Sequence, residues 1–302
     1  MEKKPPRFAA DLSLLLVALV WGLTFVSVKN ALAEIAPFSF NLYRFTLAAM
    51  LLFAMAPRRV LRLKKETVLA GLVLGLFLFG GYSLQTIGLL YTTASNAGFL
   101  TGLVVVLVPL LLAIQTRKSP PVSAWAGALS AFAGVALLSL QTSLQLNPGD
   151  VLVIFCAVCF ALQVIFVGRY CHDHDIIQLV FLQLAAVALL SGAGAMLTEK
   201  VLLPHSFTAN IWQALFITAV LATTFAFFVQ ATMQKYTTPT RTAVVLSAEP
   251  VFAAFFAAVL LGEILGERIL LGGGLIVLGM LIAESSVFSW PCSQKLFAKR
   301  GG

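Results

Sequence analysis

The chain has 302 residues, of which 60% are apolar and only 11% charged, with a mean hydropathy of +0.98 and a net charge of +8. Soluble globular chains carry about a quarter charged residues, so water is not the main solvent of this protein. The basic excess does not indicate nucleic acid, because no stretch is left over for a soluble domain carrying a contiguous basic face.

A helix needs about 20 apolar residues to cross about 30 Å of hydrocarbon. In chain order, runs of that kind fall at residues 11–30, 38–57, 67–89, 92–114, 122–141, 149–169, 175–198, 207–235, 239–262 and 267–285. Lys3, Lys4 and Arg7 ahead of the first run resemble the start of a cleaved signal peptide. The run is longer than a signal's apolar core and nine more follow, so it is read as the first span. Connections are short and marked by Pro or Gly, as in KSPPVS from Lys118, LNPG from Leu146 and LPHS from Leu203. Backbone groups at that depth must be satisfied within each segment, and the runs lack the period-two alternation of a lipid-facing barrel. The expected fold class is an all-α polytopic membrane protein with ten transmembrane helices.

Orientation follows from the basic residues. With the N-terminus inside, the inner segments hold Lys3, Lys4, Arg7, Arg58, Arg59, Arg62, Lys64, Lys65, Arg117, Lys118, Arg169, Lys235, Arg241, Lys295, Lys299 and Arg300, sixteen of the 20 Lys and Arg. Lys29, Lys200 and Arg268 fall outside and Arg44 lies within a span, so the positive-inside rule predicts cytoplasmic N and C termini and an even number of crossings. The expected location is a plasma membrane, in bacteria the inner membrane.

The chain repeats itself. At an offset of 145, Tyr91-Thr92-Thr93 answers Tyr236-Thr237-Thr238, Gln85 answers Gln230, and Gly127 and Gly134 answer Gly272 and Gly279. Earlier in each half the offset drifts to 137, matching LAAMLL from Leu47 to LAAVAL from Leu184, and Asp11 matches Asp150 at 139. Two repeats are therefore expected, 11–141 and 149–285, followed by a short basic tail, 286–302. Five spans is an odd number, so the copies are expected to sit inverted in the membrane. Inverted repeats place a substrate site near the midplane and underlie alternating access.

WGLTF from Trp21, YRFTLAAMLL from Tyr43, AEP from Ala248 and LLGE from Leu260 resemble the EamA-type members of the drug/metabolite transporter superfamily over about residues 11 to 285. That resemblance implies ten helices, cytoplasmic termini, a central cavity and export of small metabolites, amino acids or toxic compounds. A multidrug or lipid-linked substrate flippase of the same superfamily is the alternative. No acidic residue in the first half answers Glu249, which excludes a pseudosymmetric pair of carboxylates.

Charges inside spans are expensive and mark function. Glu249 lies about ten residues into its run, about 15 Å along a helix and thus near the midplane, and suits proton coupling or a cationic substrate group; it could also only pair with a neighbouring helix. Pro250 lets that helix bend beside it. Arg44 could take a substrate carboxylate through its two-pronged donors, snorkel to the headgroups, or pair with Glu34 or Glu263. An Arg and a Glu across one cavity would suit a zwitterion such as an amino acid. Gln85, Gln163, Gln183, Gln230, Asn96 and Tyr82 could hydrogen-bond a substrate or join helices. Trp21 and Phe25, at i and i+4, would form an aromatic wall.

Gly71 with Gly75, and Gly98 with Gly102, have the spacing that lets helices approach closely. Gly272 to Gly274 lacks the flanking pattern of a phosphate loop. Cys156, Cys159, Cys171, His172 and His174 resemble a metal-ligand set, but Cys171 stands about 20 Å along the helix from the first pair, so no shared metal ion is expected. The HDHD stretch from His172 reads as a solvated turn. With Glu249 and Arg44 the only ionisable groups placed well inside, a catalytic cluster is not expected, and neither an enzyme nor a cofactor is indicated. The partners expected are a small-molecule substrate and the lipid bilayer, with a proton as a possible coupling ion.

Overall fold

A computed structural model describes residues 7–92, 94–139, 147–199, 208–252, 255–256 and 267–285, excluding the side chains of residues 7, 25–26, 94–96, 99, 138–139, 268–269 and 283–285. Regular structure among the described residues is helical. The helices are α1 (Arg7–Gly22), α2 (Thr24–Ala31), α3 (Pro37–Met55), the short α4 (Pro57–Val60), α5 (Lys65–Tyr91), α6 (Ala94–Gly102), α7 (Val104–Thr116), α8 (Val122–Ser139), α9 (Pro148–Tyr170), α10 (Ile176–Thr198), α11 (Ala209–Leu215), α12 (Ala226–Met233), α13 (Pro239–Leu246) and α14 (Glu267–Ser285), with a π-helical stretch, Phe216–Phe225, joining α11 to α12. Among the described residues six apolar helical spans are long enough to cross a membrane: Phe8–Ala31, Pro37–Met55, Lys65–Tyr91, Pro148–Tyr170, Ile176–Thr198 and Ala209–Met233. Shorter apolar helices cover Leu100–Thr116, Val122–Leu137 and Leu270–Ile282. The run at 239–262 is helical over Pro239–Leu246 and residues 249–252, and most of its remainder, with Glu263, lies outside the described residues, as does the tail 286–302.

Local chemistry sets the helix starts. Pro37, Pro57, Pro148 and Pro239 occupy first-turn positions where the missing N–H costs nothing. Asn147 and Asp150 form a reciprocal capping box on α9, Asp175 caps α10, Thr208 caps α11 and Thr238 caps α13. Water cannot satisfy backbone groups in the hydrocarbon, so caps at these ends matter more than on a soluble surface.

Helix ends gather on two faces. On one, Gln178 at the start of α10 donates to the Arg59 and Arg62 carbonyls at 2.7 and 3.1 Å, His174 meets Thr67 at 3.0 Å, and Asp11 of α1 pairs with Arg241 of α13. This face also carries Arg58, Lys64 and Lys65 and is called the basic face below. On the far face, Glu199 at the end of α10 accepts from Phe38 N, Ser39 N and Ser39 Oγ at 2.7, 2.9 and 2.6 Å. There Thr208 and Asn210 donate to Glu34, holding its carboxyl below the ordinary value, and Asp150 accepts from Thr92 Oγ1 at 2.5 Å.

Packing pairs α5 with α9 and α10, α3 with α10, and α8 with α14, while α1 lies against α12 and α13. Dispersion, not water exclusion, holds helices together in lipid, so close approach is decisive. Gly71 and Gly75 of α5 leave room for Leu182 and Ala186 of α10. Between α8 and α14 the backbones themselves touch: a Cβ on Gly134 would strike the Gly272 carbonyl, and one on Gly279 would strike the Gly127 carbonyl. Ser130 Oγ donates to Leu275 O at 2.9 Å in the middle of that contact. Each of these partners sits at the 145-residue offset or crosses it.

Gly134→Leu is expected to force α8 and α14 apart at a cost of at least about 1–3 kcal/mol, seen as a lower thermal-unfolding midpoint in detergent. Gly274, where an added Cβ would meet nothing within 4 Å, provides the control: Gly274→Ala should leave the midpoint unchanged or raise it.

Candidate functional site

The polar residues of the spans converge on a cavity bounded by α1, α2, α3, α5, α6, α7, α9, α12, α13 and residues 249–250. Trp21, Arg44, Tyr82, Gln85, Gln163, Gln230 and Glu249 line it. The side chains of Phe25 and Asn96 lie outside the described residues.

Arg44 is only 4% exposed, so it does not snorkel to the headgroups. It does not pair with Glu34, which is engaged by Thr208 and Asn210. Instead Nε donates to Thr223 Oγ1 at 2.8 Å and Nη2 to Tyr82 Oη at 3.2 Å. The guanidinium stands 4.5 Å from the centre of the Tyr82 ring and 5.3 Å from that of Phe45. Hydrogen bonds and ring quadrupoles thus offset part of the cost of a buried charge without a carboxylate partner among the described residues. That leaves a cation whose charge is not cancelled at the cavity wall.

The π-helical stretch makes this arrangement possible. One extra residue per turn rotates the register: Thr224 Oγ1 donates to Ala219 O, five residues back, at 2.8 Å, and Thr223 comes to face Arg44. The Ala222 carbonyl accepts from Trp21 Nε1 at 2.8 Å, fixing the indole, whose ring centre lies 5.6 Å from Phe227. Tyr82 in turn contacts Phe160 at 5.2 Å and Phe227 at 6.2 Å between ring centres. The wall near Arg44 is therefore aromatic as well as cationic.

Glu249 faces the same cavity, partly buried, beside Pro250. Among the described residues its carboxylate has no hydrogen-bond or ion-pair partner, so none of them is tied to a neighbouring helix through it. Val104, at the matching position of the first half, also lines the cavity.

Around these charges runs an amide network. Gln234 Nε2 donates to Val164 O at 2.9 Å, so its Oε1 accepts from Gln230 Nε2 at 3.3 Å; Gln230 Nε2 also reaches Gln163 Oε1 at 3.3 Å, and Gln163 Nε2 donates to Gln183 Oε1 at 3.2 Å. Gln163 and Gln230 thus join α9 to α12 while lining the cavity, and Gln183 serves the bundle from α10. Gln85 Nε2 donates to Thr101 Oγ1 at 3.1 Å. Thr223, Phe160, Phe227, Thr101 and Gln234 escape sequence reasoning; the only hint is polar residues, notably Thr223-Thr224, inside otherwise apolar runs.

No group of metal-ligating side chains occurs among the described residues. Cys156 and Cys171 are buried free thiols, and Cys159 is partly buried against Gly80. Burial pushes the imidazole of His172, in the connection after α9, below its ordinary pKa; nearby Lys235 acts in the same sense and Asp173 against it.

Comparison with known proteins agrees with this architecture. The sequence pattern of the EamA-like transporter family matches residues 8–140 and, a second time, residues 147–284. An uncharacterized transporter of Archaeoglobus fulgidus is 36% identical over 281 residues, covering 93% of this chain and 87% of its own. A second from the same organism is 28% identical over 285 residues, 91% of this chain and 96% of its own. An uncharacterized transporter of Bacillus subtilis is 30% identical over 228 residues, 72% and 71% of the two chains. A crystal structure with 22% identity superposes with a TM-score of 0.76 over 92% of this chain and 97% of the other, which establishes the likeness of fold.

Thr223→Val removes the acceptor of Arg44 Nε and is expected to cost about 1–3 kcal/mol of stability, read as a lowered unfolding midpoint, with Thr223→Ser retaining most of it. Because the folded chain favours neutral His172, its contribution is full above the unfolded pKa of about 6.5 and is lost as pH falls through the lower folded value. Unfolding midpoints measured between about pH 8 and 5 should therefore decline less in His172→Gln than in the native chain.

Proposed function

Because the chain belongs to the EamA-like transporter family, we propose that it is a secondary or facilitative transporter that exports small metabolites, amino acids foremost, by alternating access. The observation that carries this reading is the placing of two ionisable groups in one cavity, Arg44 without a carboxylate and Glu249 without any hydrogen-bond or ion-pair partner among the described residues. A substrate bearing a carboxylate and an ammonium would neutralise both, and the aromatic groups between them would take its side chain. The reading needs neither a catalytic constellation nor a cofactor.

The cycle rests on two inverted five-helix repeats, 11–141 and 149–285. The doubled family match supports this division. So does the packing: α5 lies on α9 as α12 lies on α1, α7 on α9 as α13 on α1, and α5 on α10 as the π-helical stretch on α3, while α3 with α10 and α8 with α14 pair across the halves. Two halves that exchange roles have two nearly equivalent arrangements, one open to each side. In this reading the basic face and both termini are cytoplasmic, in a plasma membrane that in bacteria is the inner one, with ten crossings in all. Glu249 is the group that would carry a proton if export is coupled to a gradient.

The aromatic wall of Trp21, Phe160 and Phe227 also favours a second reading, a multidrug or lipid-linked substrate flippase. Counterflow in proteoliposomes loaded with an amino-acid mixture, with and without a pH gradient, separates the two. Exchange of amino acids should be rapid in the native chain and reduced at least about tenfold in Glu249→Gln, while Arg44→Ala should lose amino acids yet retain neutral-ended amines. Equal exchange in native chain and Glu249→Gln removes that carboxylate from the mechanism. Exchange of apolar cations or lipid-linked molecules, with no amino-acid exchange, establishes the second reading.

A further inference from the structure

The cavity is not symmetric about the middle of the bundle. Val28, Leu89 and Gly98 carry its lining towards the far face, each close to a helix end there. Towards the basic face it stops at Gln163, Gln230 and Ala243. Below them every residue of α13, Pro239 to Leu246, is buried, Gln234 is 0% exposed, and Gly168 packs directly on Pro239. The molecule is thus closed at the basic face.

Across that closure lies an ion pair. Arg241 Nε donates to Asp11 Oδ1 at 2.9 Å and Nη2 to Asp11 Oδ2, a two-pronged pair joining α13 to α1 with side chains only 8% and 14% exposed. Removing one member of such a pair leaves an uncompensated charge in a poorly hydrated place. Opening this face therefore requires new partners for Asp11.

The other half shows what they are. Asp150, the match of Asp11, sits at the far face, towards which the cavity extends, and takes the hydroxyl of Thr92 at 2.5 Å. Thr92 matches Thr237, four positions before Arg241. Thr237 is 7% exposed, and its hydroxyl is buried without a hydrogen-bond partner among the described residues. The counterpart of Arg241 is Asn96, so no arginine answers it at the far face, where Lys29 Nζ instead donates to the Thr92 carbonyl at 2.8 Å.

Resting on the alternating-access reading above, we propose that Asp11 is a two-position latch: bound to Arg241 it holds the basic face shut, and on opening it moves to the hydroxyl of Thr237, as Asp150 holds Thr92 now. Closure of the basic face thereby rests on a two-pronged pair whose arginine has no counterpart in the other half, so the unloaded protein rests with the far face open. Arg241 and Asp11 are gating residues and need not touch substrate.

Hydrogen–deuterium exchange of the full chain in lipid nanodiscs tests this without knowledge of the substrate. Arg241→Gln and Asp11→Asn should speed exchange of the Pro239–Leu246 amides at least about tenfold while slowing those of Ala94–Gly102, because opening one face closes the other. Thr237→Val, which removes only the open-state partner, should shift both segments in the opposite sense. Faster exchange in both segments of the charge variants means a merely structural pair and overturns the latch, as does no change in either segment or a Thr237→Val profile that matches the native chain. If these results overturn the latch while counterflow persists, the transport reading stands; reciprocal exchange shifts without amino-acid counterflow would uphold the latch and alternating access and overturn only the amino-acid substrate.

Discussion

A polar group in hydrocarbon has no water to fall back on, and most of this structure can be traced to that constraint. It makes the long runs helical wherever they are described and concentrates side-chain polarity into a seam between helices. Arg44 is the sharpest instance. Its guanidinium is accommodated only because α3 lies against the π-helical stretch, which turns Thr223 towards it, and against α5, which brings Tyr82. The same seam holds Gln163, Gln183, Gln230 and Gln234, whose amide orientations follow one from another once Gln234 is anchored on the Val164 carbonyl. A cavity lined with such groups presents a polar wall because the bundle has left some of their valences open, among them Gln230 Oε1.

The helical membrane fold, six of its spans and the family were legible in the sequence because length and hydropathy are written directly into the order of residues. The two intramembrane charges were legible for the same reason, since a lone Arg or Glu in an apolar run stands out. Their surroundings were not. Thr223 reaches Arg44 only through a change of helical register that 3.6-residue periodicity cannot anticipate, and Phe160 and Phe227 are two among 24 phenylalanines, distinguishable only once packing assigns most of the others to lipid or to helix contacts. A pairing of Arg44 with Glu34 failed because both were placed near one membrane surface from linear distance alone. The fold points Arg44 inwards while Glu34 caps a neighbouring connection at the far face.

The two halves share their scaffold but not their charges. Gln85 and Gln230 occupy matched positions, yet one hydrogen-bonds Thr101 and the other joins an amide network. Glu249 answers Val104, Arg241 answers Asn96, and Thr237 lacks the carboxylate that Thr92 possesses. Under the proposed alternating access, a duplicated fold supplies two arrangements of nearly equal energy, and these few differences would decide which of them the chain prefers.

The contact of α8 with α14 belongs to neither arrangement. Gly134 meets Gly272 as Gly279 meets Gly127, and Ser130 crosses to Leu275, its own counterpart. A contact that maps onto itself when the halves trade places has the same geometry before and after the trade. Backbone laid on backbone leaves no long side chains to repack, so in the proposed cycle this seam would act as a bearing: the point about which the rest of the molecule turns, and the place where added bulk would jam both directions of travel equally.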